Sequence, residues 1–127
     1  MNIQEKFVNM DRNNIEAYTP IYAVDIILPY IPKNKIIWCP FSKNEHNFVW
    51  YLRKLGYTVY NTHYDPETNI GNDFLTYNPN FEFDIIIDNP PFKKKTKFVK
   101  RAFQFGKPFA LFLPLNCWWH LFRLMYL

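Results

Sequence analysis

Phe83-Asp84-Ile85-Ile86-Ile87-Asp88-Asn89-Pro90-Pro91-Phe92 reads as a buried strand brought to an abrupt stop. A continuous β-branched run of this length fits a strand covered on both faces, as in parallel sheets. The two prolines cannot extend it, because neither offers a backbone N–H and both fix φ. The sheet is therefore expected to end at Asn89, turning its side-chain amide and the carbonyls beside the prolines outward. The ring of Phe92 follows at once. A stiff corner with oxygen acceptors and a stacking face suits a flat molecule that carries an amino group.

Outward from this corner the chain alternates strands with helices. Lys35-Ile36-Ile37-Trp38-Cys39 is a strand ended by Pro40, Tyr57–Tyr60 is a second, and Pro108–Leu113 is a further buried strand broken by Pro114. Thr19-Pro20 starts a helix that runs through Ile21, Val24, Ile27 and Leu28 and ends near Pro29 and Pro32. Phe48, Trp50, Tyr51, Leu52 and Leu55 predict another, stopped by Gly56. Thr96–Phe105 predicts a third, with Phe98, Val99, Ala102 and Phe103 inward and Lys97, Lys100 and Arg101 outward. A polar stretch over 61–72 and a short piece at Asp73-Phe74-Leu75 lie between the second strand and the decisive one. The alternation predicts an α/β fold: an open, mostly parallel, Rossmann-like sheet of about five strands with helices on both faces. Ligands in such sheets bind at the carboxyl ends of the strands, where Pro40, Asn61 and Asn89 fall.

A chain of 127 residues with 49% hydrophobic and 20% aromatic content builds one folded domain and excludes disorder as the default. The division expected is an arm or short helix over 1–14, a core over 15–116 and an aromatic-rich tail over 117–127. A net charge of +4 is compatible with a polyanionic partner. Cys39 and Cys117 are far apart, and His46, His63 and His120 are scattered, so neither a disulfide framework nor a metal site is expected. Cys39 reads as a small buried hydrophobe, and Trp118 and Trp119 as core or interface. Asp88 either orients Asn89, caps a turn or faces solvent. The first residues carry no signal-peptide pattern and no apolar run approaches a membrane span, so the expectation is a protein of the reduced cytosol without a membrane segment.

Asn89-Pro90-Pro91-Phe92 resembles the catalytic tetrad of amino-group methyltransferases that use S-adenosylmethionine, above all the adenine-N6 enzymes acting on DNA. Relatives with the same tetrad methylate a glutamine side chain or RNA bases. The resemblance covers most of 15–116. Tyr18-Thr19-Pro20 is similar to the family's flanking motif, which places Thr19 near the methionine end of the cofactor. Cys39-Pro40-Phe41 stands where the family reads Asp-Pro-Phe before a glycine-rich turn, implying cofactor contacts for Pro40 and Phe41. Cys39 replaces the acid, and Ser42-Lys43-Asn44-Glu45 has no glycine. Asn61 falls where a carboxylate normally meets the ribose hydroxyls. Gly71-Asn72-Asp73-Phe74 looks like the third cofactor motif, whose Asp73 would touch the adenine amino group.

The resemblance implies that the Asn89 amide oxygen and the Pro90 carbonyl accept the two amino hydrogens, freeing the nitrogen lone pair for attack on the sulfonium methyl. Phe92 would stack on the base, worth about 1–3 kcal/mol, and a duplex target would be flipped out. Lys93, Lys94 and Lys95 would hold neighbouring phosphates, giving salt-dependent binding to nucleic acid, DNA first. The family's sheet has seven strands and a separate recognition domain, so this chain reads as a short, phage-like member acting in a bacterial or phage-infected cytoplasm. Two readings stay open. One is an adenine-N6 methyltransferase; the other is a catalytically inactive derivative that blocks nucleic acid or a host-defence enzyme that processes it. The tail over 117–127 then packs on the sheet edge or meets a protein partner or a second copy.

Overall fold

The computed structural model describes residues 21–115 and 118–121. The chain runs α1 (Ile21–Ile27), a 3₁₀ turn (Leu28–Tyr30), β1 (Ile36–Cys39), α2 (Asn47–Lys54), β2 (Thr58–Asn61), β3 (Tyr64–Asp65), β4 (Ile70–Gly71), β5 (Ile85–Asp88), a second 3₁₀ turn (Phe92–Lys94), α3 (Lys95–Gln104), β6 (Phe109–Leu115) and β7 (Trp118–Leu121). The main sheet has the order β2-β1-β5-β6-β7. The first four of these strands are parallel neighbours, and β7 lies antiparallel to β6. This is the expected α/β, Rossmann-like architecture.

Alternation along the central strands sends side chains into two separate cores. Ile37, Cys39, Ile85 and Ile87 pack with Val24 and Ile27 of α1 and Phe48, Val49 and Leu52 of α2. Trp38 and Ile86 point the other way, to Phe98 and Ala102 of α3 and to Phe74 and Phe83. Helices therefore cover both faces, and this double cover is what makes the β1 and β5 sequences almost wholly apolar. Trp38 centres the second core. Its ring lies 5.0 Å from Phe83, 5.3 Å from Phe105 and 5.4 Å from Phe74, and its indole N–H donates to Thr62 Oγ1 at 3.1 Å.

Two expectations are corrected. Phe103, placed inward on α3, is 39% exposed; the inward row is Phe98 and Ala102, and Phe103 lies edge-on to Phe109 at 5.0 Å. Pro114 does not break β6, which runs on to Leu115. Beyond Leu111 the pairing with β5 has ended, leaving β7 as the partner among the described residues, and such edge positions tolerate proline. Within the tail, Trp118–Leu121 add a strand at the sheet edge, pairing with Phe112–Leu115. Residues 1–20, including Thr19-Pro20 and the expected arm, and 122–127 lie outside the described residues. Among the described residues no helix is long and apolar enough to cross a membrane.

Candidate functional site

Pro40 ends β1 and Asn89-Pro90 end β5, on strands that pair in parallel with Trp38 beside Ile86. Their exits therefore emerge side by side, and a cleft of about 290 Å³ opens over them. Pro40, Phe41, His63, Tyr64, Asp73, Phe74, Pro91, Lys93, Lys94 and Phe98 line it, with Pro66 and Glu67 at the hairpin side. Its size is near the lower end for small-molecule sites. One wall is aromatic: Phe41 meets Phe74 at 5.0 Å and Phe98 at 4.8 Å, both edge-on.

The loop after β1 has no glycine, and the structure shows what holds it. Ser42 N–H donates to Thr62 O at 3.0 Å, and Thr62 N–H to Cys39 O at 3.0 Å. Phe41 N–H donates to Asp88 Oδ2 at 2.7 Å and Ser42 Oγ to Asp88 Oδ1 at 2.7 Å. The amides of Phe41 and Ser42 are thus spent inside the protein. Asn61, expected at a ribose, accepts from Arg53 Nη2 at 2.8 Å and donates to Ser42 O at 3.0 Å. It clamps the loop and does not line the cleft.

Asp73 reaches the cleft from a turn it builds itself. Its Oδ1 accepts Leu75 N–H at 3.0 Å, and its backbone carbonyl accepts the N–H groups of Thr76 and Tyr77. Arg101 of α3 braces that turn, donating to Phe74 O at 3.2 Å and Tyr77 O at 3.0 Å. Opposite, the β3–β4 hairpin fits closely because Gly71 has φ +102 and a Cβ there would sit 2.1 Å from His63 O. Burial lowers the pKa of His63 and of His46, whose rings are 6.3 Å apart.

The structure therefore brings Pro40, Phe41, Asp73, Lys93 and Lys94 together at one cleft, with Pro91 between them. Asn89 is 6% exposed and Pro90 is buried, and neither is on the lining. Phe92 opens the second 3₁₀ turn, and its side chain lies outside what is described, as does Thr19. Lys95 is exposed at the start of α3 and is not among the cleft's lining residues; Lys97 and Lys100, three apart on the same helix, are exposed as well. No acidic residue follows Asp88 in the sequence, so the charged side chains that α3 carries are all basic. Cys39 is fully buried, and burial, then the Asp88 charge, pushes its thiol well above the usual range. Among the described residues no group of three or more metal-binding side chains gathers.

The residue that sequence reasoning left open is Asp88. It is neither exposed nor a simple turn cap: at 1% exposure it accepts from Phe41, Ser42 and Asn89. An acid closing an apolar strand was the available signal. Its partners became evident only from the pairing of β1 with β5. No family model matches the chain, and no curated protein is significantly similar to it.

Proposed function

We propose that this chain is an S-adenosylmethionine-dependent amino-methyltransferase of the adenine-N6 type, acting on nucleic acid. The observation that carries the reading is the convergence of Pro40, Phe41, Asp73, Lys93 and Lys94 on one cleft at the carboxyl ends of β1 and β5. The lining suits the cofactor. Phe41, Phe74 and Phe98 offer an aromatic wall for an adenine ring, Asp73 an acceptor for its amino group or for hydroxyls, and Lys93, Lys94 and Glu67 charges of both signs for an amino acid. When bound, S-adenosylmethionine supplies an electrophilic methyl group. The Asn89 amide oxygen and Pro90 carbonyl, at the β5 exit, take the amino hydrogens of the target base, and the exposed Lys93, Lys94 and Lys95 hold its phosphates.

One observation favours the second reading, a methyltransferase-derived protein that binds without transfer. Asn89 and Pro90 are buried, and the β1 loop amides are satisfied internally. Calorimetry with S-adenosylmethionine followed by a methyl-transfer assay on adenine-containing DNA separates the two. Micromolar binding is expected, weakened roughly tenfold or more by Asp73→Asn, which removes the charge but keeps the acceptor at Leu75. Transfer abolished by Asn89→Ala supports the enzyme. Binding without transfer supports the second reading, and no binding at millimolar cofactor overturns the enzyme and leaves the second reading in front.

A further inference from the structure

Asp88 is the last residue of β5, and its carboxyl joins the two loops that flank the cleft. Oδ2 accepts Phe41 N–H at 2.7 Å. Oδ1 accepts Ser42 Oγ at 2.7 Å and Asn89 N–H at 2.8 Å. Two of these donors belong to the β1 exit and the third begins Asn89-Pro90-Pro91. Phe41 in turn is an aromatic wall of the cleft. One side chain thus fixes both sides of the opening.

We propose that Asp88 is the positioning residue of the cleft: ionised, it latches the Phe41–Ser42 loop to the β5 exit and holds Phe41 as a wall, and protonated, it releases that wall and weakens ligand binding. The effect on affinity rests on the cleft being the ligand site proposed above. The latch itself does not depend on which ligand enters.

The geometry says where a proton would go. Oδ2 carries one hydrogen bond and Oδ1 carries two, so protonating Oδ2 sacrifices only the bond from Phe41. That is the bond holding the cleft wall. Among the described residues no cation pairs with the carboxylate. Burial disfavours its charge more than the three donors favour it, which pushes its pKa up to about 7. Both forms are then populated near neutrality. The neighbouring titratable groups behave differently. Cys39 on β1 stays a neutral thiol. His46 and His63, beyond the β1 and β2 exits, are lowered from 6.5, with Lys43, Glu45 and Asp65 as their charged neighbours. Arg53 on α2 and Lys93 and Lys94 at the cleft are the cations of the surrounding elements.

The test is a pH titration of the ¹⁵N-labelled chain, followed through its amide resonances from roughly pH 5.5 to 8.5. Phe41 and Asn89 amides are expected to move with one common midpoint near 7, and Asp88→Asn, which cannot ionise, to abolish it. A histidine origin would give a midpoint below 6.5 that survives the substitution. Amides that stay flat, or that titrate unchanged in Asp88→Asn, overturn the latch. Should that variant not fold, Ser42→Ala removes one donor that favours the ionised form, and the midpoint must rise; an unmoved midpoint overturns the latch equally. Calorimetry with S-adenosylhomocysteine is then expected to show affinity rising about tenfold across neutrality in the native chain and flat in Asp88→Asn, the worth of one bond to a charged group. Binding that is pH-independent in both overturns the coupling to affinity. No binding at any pH refutes the cofactor reading instead, and the amide midpoints alone then decide the latch.

Discussion

Arg101 is the point at which α3 controls the shape of the cleft. Its Nε donates to Phe74 O at 3.2 Å, and its Nη2 donates to Tyr77 O and to Asn78 Oδ1, each at 3.0 Å. The guanidinium also lies 4.5 Å from the Phe105 ring centroid. Arg101→Ala leaves two part-buried carbonyls on the turn that carries Asp73. A bond from a charged donor is worth about 1.5–3 kcal/mol, but the group is half-buried and water replaces part of it. With the ring contact adding about 0.5–1 kcal/mol, a loss of about 2–3 kcal/mol in total is expected. Arg101→Lys keeps the charge but not the fork, and recovers about 1 kcal/mol of that. Urea unfolding with an unchanged m-value measures both. Hydrogen exchange at the amides of Thr76 and Tyr77, which bond to Asp73 O, should quicken in step. An alanine variant within about 0.5 kcal/mol of the native chain, or a lysine variant equal to it, refutes the bracing role.

Gly71→Ala is expected to cost about 2 kcal/mol, because its positive φ is compounded by a Cβ placed 2.1 Å from His63 O. Gly56→Ala has a similar φ but nothing within 4 Å, so it should lower the melting temperature less; equal losses would sink the close-approach argument. The Asp88 carboxyl also predicts a pH signature in stability. Its folded pKa of about 7 lies above its ordinary 3.8, so its contribution is fully present below 3.8 and lost as pH rises through 7. Asp88→Asn should therefore gain on the native chain as pH rises, by up to about 4 kcal/mol over the full window. Measured from pH 6.5 upward, chemical denaturation avoids most of the opposite-signed contribution of His46 and His63. A stability difference that stays constant from there to pH 8 or so contradicts the raised pKa.

The sheet was legible because its central strands β1 and β5 are buried on both faces and each is stopped by proline or asparagine. Ile85–Asp88 and Ile36–Cys39 came out within a residue or two of their expected limits. Phe83 and Asp84, read into the strand, precede it, although Asp84 still exchanges hydrogen bonds with Ile36. The β3–β4 hairpin was not legible, since two-residue strands in a polar stretch leave no periodicity. It depends on Gly71 and on Asn69 at φ 56. Asp73, Phe41 and Pro40 were found at the cleft because they sit at chain turns that a motif can mark. Tyr64 and Phe98 were missed at the cleft, being placed there by tertiary packing alone. Asp88 was seen but not understood, because its donors lie 46 and 47 positions earlier in the chain.

The parallel placement of β1 between β2 and β5 also dictates an order of assembly. Ile37 lies opposite Val59 on one side and Ile85 on the other. During synthesis β2 emerges first, while the other edge of β1 must wait for a segment 48 positions downstream. The added chain-closure entropy is small, about 0.6 kcal/mol for a doubling of loop length. The delay matters more: until β5 arrives, the nascent chain presents a sticky, half-finished edge, and such long-range pairing is slow. Arrival of the isoleucine strand is the event on which productive folding waits.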